Sequence, residues 1–219
     1  MASFFNLTLD TTAPSGLSFL INDGAQYTTT TAVDLSISMS DGGASGYQMK
    51  VWGINGVATE GAASWESFAT EKAVVLTTGD GQKTISIKVR DDVGNETNAA
   101  TASILLDTAV PSVTITGPDR SKVSKVSGYD EVAFSFLSDV PFVAYKVKAV
   151  PSGSSLENAG TQIGTTSGSS NMAGSGTYAE DTPIACMIHG ADLEAASSGD
   201  GVKVIKVFVQ SAAGSWSVA

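Results

Sequence analysis

His189 is the chain's one histidine and Cys186 its one cysteine. An enzyme working near neutral pH draws first on such groups, imidazole as the base and thiolate as the nucleophile. Their spacing argues against a shared task. Cys186 alternates with Ile184 and Ile188, as a buried small hydrophobe does. Three positions along a strand turn His189 to the opposite face, so both residues read as structural. Asp91, Asp92 and Asn95, with Asp10 or Asp107 at a domain junction, offer oxygens to calcium, which takes six to eight. The matching stretch of the second half, Ser211-Ala212-Ala213-Gly214-Ser215, carries no carboxylate, so a metal site common to both halves is excluded and a tight turn is the better reading. Gly79-Asp80-Gly81 lacks the lysine-serine pair and the helix of a phosphate loop. No acid–base constellation and no metal-ligand spacing stands in the sequence. The expectation is a protein that is not an enzyme, with no catalytic residue, cofactor or metal.

Binding chemistry has more to draw on. Tyr47, Trp52, Trp65 and Phe68 gather aromatic surface of the kind that stacks on sugars. Trp52 takes the outward register if Tyr47, Met49 and Val51 point inward. It then either packs on the segment around Trp65 or lines a ligand face with it. Asn6-Leu7-Thr8 and Asn95-Glu96-Thr97 match the glycosylation acceptor pattern, which means nothing without a secretory route.

The elements that position these residues come from a repeat. Leu9-Asp10-Thr11-Thr12-Ala13-Pro14-Ser15 returns as Leu106-Asp107-Thr108-Ala109-Val110-Pro111-Ser112. Gly79-Asp80-Gly81-Gln82-Lys83 returns as Gly199-Asp200-Gly201-Val202-Lys203. The opening motifs lie 97 residues apart and the closing motifs 120 apart, so the second copy holds 23 extra residues. One module is written twice. The predicted domains are 1–107 and 108–219. Leu17 to Ile21, Val33 to Met39, Tyr47 to Trp52, Ala73 to Leu76, Ile85 to Val89 and Ala100 to Leu106 read as strands, several with a period of two. The second unit repeats the plan with Val113 and Ile115, Val132 to Phe136, Val143, Tyr145 and Val147 alternating, Ile184 to Ile188, and Ile205 to Val209. Ala191 to Ala196 is the one short helix, and residues 151–177, rich in Ser and Gly, read as a long surface loop or irregular hairpin and as the most adaptable stretch. Short strands between turn signals make each unit a β-sandwich, so the fold class is all-β.

Composition bounds the partners. The chain has 219 residues, a formal charge of −10 and only 16% charged residues. An acidic surface repels phosphate backbones, which excludes nucleic acid. No apolar run approaches a membrane span, no basic amphipathic stretch suggests a membrane surface, and the N-terminus has no signal-peptide pattern. With one cysteine there is no internal disulfide, which fits synthesis in a reducing cytoplasm.

Asp10-Thr11-Thr12-Ala13-Pro14, Ile21-Asn22-Asp23-Gly24-Ala25, Tyr27-Thr28, Gly79 to Thr84, Val89-Arg90-Asp91 and Gly94-Asn95 together resemble a bacterial immunoglobulin-like module over about residues 10–107. The second unit keeps only the opening motif, Gly199-Asp200-Gly201 and the alternating run. The resemblance implies two tandem immunoglobulin-like sandwiches of the kind found in tailed-phage virion accessory proteins: head decoration or fibre proteins, made in the host cytoplasm and displayed on the virion surface. It implies as partners other virion proteins, the major capsid protein first, or further copies of the chain, with host-surface glycans as the alternative.

The ends carry one more expectation. Residues 1–9 read as a short strand. Adding 120 to Leu106 passes position 219, so the second unit is expected to lack most of its closing strand and to leave an open sheet edge. Asn6-Leu7-Thr8-Leu9-Asp10 is written like Ser103-Ile104-Leu105-Leu106-Asp107. Residues 3–9 therefore either pair with an edge elsewhere, on another copy or a shell protein, or begin strand one of their own domain. The candidate binding residues are Phe4, Phe5, Leu7, Leu9, Trp52 and Trp65.

Overall fold

The computed structural model describes residues 5–40 and 46–218. Phe4 and the expected turn at Asp41-Gly42-Gly43 lie outside the described residues. The chain divides into two compact units, one up to Thr108 and one from Ala109.

The first unit holds β1 (Ser18–Ile21), β2 (Tyr27–Thr28), β3 (Ala32–Ser38), β4 (Gln48–Trp52), β5 (Glu66–Ser67), β6 (Glu71–Val75), β7 (Gly81–Arg90) and β8 (Ala100–Leu106). They form one sheet in the order β1-β3-β6 and another in the order β2-β8-β7-β4-β5. The period of two does the sorting. Val33, Leu35 and Ile37 of β3 are buried while Asp34 stays in water. Ile85, Ile87 and Val89 of β7 turn inward in the same way, with Lys88 and Arg90 behind them. The apolar faces of both sheets meet in a single core from Phe19 to Leu106, which makes the unit a β-sandwich. Each fully buried Leu or Ile contributes about 1.5–3 kcal/mol.

The second unit holds β9 (Val113–Thr116), β10 (Glu131–Ser138), β11 (Phe142–Val150), β12 (Thr161–Gln162), β13 (Ala173–Tyr178), β14 (Ile184–His189), α1 (Gly190–Ala196) and β15 (Val204–Gln210). Its sheets are β14-β10-β9 and a four-stranded sheet centred on β11, which pairs β15 on one side and β12 and β13 on the other. The core is aromatic: Phe142 stacks on Tyr178 at 4.7 Å, and Tyr145 stands edge-on to both. Gly174 fits here because it has no side chain: a Cβ on it would lie 2.4 Å from the Tyr145 ring.

Three expectations change. In β11 the inward residue is Phe142, not Val143, because the ladder to β13 shifts register between Phe142 and Ala144 and the bulge re-aims the strand. Residues 151–177 are more than a surface loop. They contain β12 and most of β13 and place Ile163 and Met172 in the core, each 1% exposed. The Gln162 side-chain amide donates to the carbonyls of Val147, Ile163 and Met172, adding to the main-chain bonds between these segments. Residues 5–9 form no strand. A strand needs a neighbour for its N–H and C=O groups, and in the first unit the strand these residues copy, β8, already fills the place beside β7.

Candidate functional site

The hairpin turn after β7 has a counterpart after β15. Asp91 N donates to Asn95 O at 3.2 Å, Thr97 N to Val89 O at 2.8 Å, and Val89 N to the Thr97 hydroxyl at 3.1 Å. Ser211 N donates to Ser215 O at 2.9 Å, Ser217 N to Val209 O at 2.8 Å, and Val209 N to the Ser217 hydroxyl at 3.0 Å. The backbone is thus the same at the offset of 120, and the side chains differ. Asp91 is 4% exposed, and its carboxylate accepts from Val93 N (3.1 Å), Asn95 N (2.8 Å) and Asn95 Nδ2 (2.8 Å). Burial pushes its acidity the other way, but these donors win and hold the carboxyl below its ordinary value. The Asp91 oxygens are therefore occupied by N–H groups. Asn95 Nδ2 also donates to the Asp10 carbonyl at 3.3 Å, which brings the opening motif to the turn. In the second unit the Ser211 hydroxyl is buried without a hydrogen-bond partner among the described residues.

His189 closes β14 and caps α1. Its Nδ1 accepts from Ala191 N at 3.2 Å, and its Nε2 lies 3.1 Å from Asp130 Oδ2. With both ring nitrogens engaged, no lone pair faces a nucleophile. Cys186 is buried, burial pushes its thiol up to about 11, and its Sγ donates to the Asn171 carbonyl at 3.2 Å. Asp192, on α1, is 1% exposed. Burial opposes its ionisation, yet Ser167 N (2.9 Å), Ser169 N (3.0 Å) and the Thr166 hydroxyl (3.1 Å) hold it ionised, well below the usual carboxylate range. Sequence reasoning missed this residue. The signal was the acidic side chain in the first turn of the predicted helix, but its partners sit more than twenty positions away.

The aromatic face is built on β4 and β7. Gln48, Lys50 and Trp52 stand opposite Arg90, Lys88 and Ser86 on the side turned away from the core. Trp65 lies under both cations, with Lys50 Nζ 4.7 Å and the Arg90 guanidinium 4.4 Å from its ring centre. Each contact contributes about 0.5–1 kcal/mol at a half-exposed site. Glu60 ties the lysines together, at 2.9 Å from Lys50 and 2.7 Å from Lys88. The Lys88 ammonium, and then the Lys50 ammonium, hold the Glu60 carboxyl below its ordinary value. Trp52 stays half-exposed. Unit two echoes this device: Lys146 Nζ sits 4.3 Å from the Trp216 ring centre.

Phe5, Leu7 and Leu9 are 84%, 85% and 86% exposed. A second feature missed from sequence is the loop before β10, where Arg120, Lys122 and Tyr129 border an open cleft. Three basic residues between 120 and 125 in an acidic chain were the available signal. Among the described residues no three His, Cys, Asp or Glu side chains group as metal ligands, and no helix is long and apolar enough to cross a membrane.

No protein-family model matches the chain, and no curated protein matches it. Among solved structures it is similar to the chitinase ChiA74 from Bacillus thuringiensis, with 11% identity and a TM-score of 0.32 over 92% of this chain and 30% of that one. It is also similar to dimeric latent PorU from Porphyromonas gingivalis, with 13% identity and a TM-score of 0.30 over 97% of this chain and 20% of that one. The chain thus spans less than a third of either protein. Likeness at this level carries no argument about activity.

Proposed function

We propose that the protein is a non-enzymatic structural component of a tailed-phage virion, a capsid-decoration or head-fibre accessory protein displaying two immunoglobulin-like sandwiches. The observation that supports it best is the fate of the reactive groups. His189, Cys186, Asp91 and Asp192 each spend their hydrogen-bonding capacity on the backbone or on a neighbouring side chain. The virion assignment rests on the motif resemblance over residues 10–107, and the major capsid protein is the first partner it implies. Quantitative mass spectrometry of purified particles tests it: the chain should be present in a fixed ratio to the major capsid protein. Its absence from washed particles would overturn the reading. A glycan-binding face is the second reading, favoured by the half-exposed Trp52 on the outer side of β4. Trp65 supports it less, since its ring is already covered by Lys50 and Arg90. Glycan-array binding lost in Trp52→Ala would move the assignment there.

A further inference from the structure

The chain's 12 lysines and arginines are unevenly spent. Lys50, Lys72, Lys88 and Lys146 stand in ion pairs. Lys83, Lys148, Lys203 and Lys206 donate to backbone carbonyls, and Arg90 donates to the Gln48 side chain. Arg120 gives one N–H of its guanidinium to the Gly128 carbonyl, at 3.3 Å, and keeps the others. Lys122 and Lys125 have no partner among the described residues. The least engaged cations of an acidic chain therefore share one loop, between β9 and β10.

The fold does not require these charges. Asp119 Oδ1 accepts from Ala133 N at 2.9 Å and anchors the loop, as Asn22 Oδ1 accepts from Asp34 N at 2.9 Å in the first unit. Between Asn22 and Asp34 there is no Lys or Arg. The loop is also held in shape. Ser124 N donates to Tyr129 O at 2.8 Å, and Tyr129 N to Val126 O at 2.9 Å. Gly190, the first residue of α1, lies so close that a Cβ on it would run into the Ser124 carbonyl. The two carboxylates that flank the loop in sequence are engaged elsewhere: Asp119 on Ala133 N, and Asp130 on Gly128 N at 2.9 Å and on His189. Tyr129 is left 70% exposed. With Arg120, Ser121, Lys122 and Gly128 it borders an open cleft of about 610 Å³, a size that takes a small ligand.

We propose that this cleft binds an acidic saccharide, a sugar that carries a carboxylate or a phosphate. The Tyr129 ring offers an apolar face to the C–H side of a pyranose while its hydroxyl stays wet. The free N–H groups of Arg120 match the paired oxygens of a carboxylate or phosphate, and Lys122 adds a point charge beside them. Lys125, three positions on, strengthens the local positive field. Ser121 brings a hydroxyl for the sugar's own. A protein partner would bury about 800 Å² on each side around an apolar centre. Only Val126 and Tyr129 stand out here as large exposed apolar groups, between serines and cations. A long phosphate backbone would meet the repulsion of a chain with a formal charge of −10. The site is independent of the virion assignment, which is read on particles, and of the Trp52 face, which belongs to the first unit, so each can fail alone.

The full chain, labelled with nitrogen-15, should be titrated with a galacturonic acid trisaccharide and with mannose 6-phosphate, which separate the carboxylate source from the phosphate source. Amide shifts should move between residues 120 and 130 with at least one of the two, and the affinity should fall as salt is added. Tyr129→Ala should weaken binding about tenfold, and Tyr129→Phe should keep it. Lys122→Ala with Lys125→Ala should weaken it by about tenfold or more. All three side chains are exposed, so the melting midpoint should not change. Trp52→Ala should bind like the unaltered chain. The proposal is overturned if neither probe shifts these amides at millimolar concentration, or if the neutral galactose trisaccharide binds as tightly. It is equally overturned if Tyr129→Ala binds unchanged or if a thymidine oligonucleotide binds more tightly than both sugars, since charge alone would then explain the loop.

Discussion

Two carboxylates show how single side chains hold this protein together. Asp192 is buried and surrounded by N–H and O–H donors from residues 166–169. Its folded-state pKa is depressed, so the stability it contributes is fully present above its unfolded value near 4 and is lost as pH falls below it. Asp91 acts in the same direction. Thermal melts should therefore be flat from neutral pH down to about pH 5 and fall steeply below about pH 4. Asp192→Asn should cost roughly 2–3 kcal/mol at pH 7, because it faces the same donors with an amide, and should flatten the acid fall. Ser211 is the converse case. Its buried hydroxyl has no partner among the described residues where Asp91 has three donors, so Ser211→Ala should leave the melting midpoint unchanged or raise it. A loss of more than about 1 kcal/mol in urea unfolding would mean that the hydroxyl is bonded after all.

At the scale of elements, the strands that were legible in the sequence are those with a clean period of two and one wet face. The run from Ile85 to Val89 is the best case. β12 and β13 were not legible, because Gly and Ser give no apolar alternation. Their order comes from partners distant in sequence: Val147 N donates to Met172 O at 2.7 Å, and Ile163 N to Val147 O at 3.1 Å. The expectation of an adaptable stretch over 151–177 therefore needs dividing. Hydrogen exchange at the amides of Val147 and Ile163 should be as slow as in β15, while residues near Ser152 and Gly153 exchange fast. Fast exchange at Ile163 would return the whole segment to a loop. Gly174→Ala should also lower the melting midpoint, since the new methyl meets the rings of Tyr145 and Tyr178.

For the whole molecule, the repeat made the two-unit plan visible, while the candidate site was visible only in part. Phe5, Leu7 and Leu9 were readable as a copy of β8 that either pairs elsewhere or begins strand one; they begin no strand and stay exposed, because pairing depends on an edge that no local pattern encodes. Trp65 was readable as an aromatic, but not as a ring under two cations, since Lys50 and Arg90 come from different strands. The shared outer-face device has an optical consequence. The chain has three tryptophans, and two of them, Trp52 and Trp65, belong to the first unit. Trp216 is alone in the second, beneath the Lys146 ammonium and bridged to Gln210 at the end of β15. With phenylalanine at positions 52 and 65, the intrinsic fluorescence of the protein becomes a single-site readout. It separates the unfolding of one unit from that of the other without an added dye.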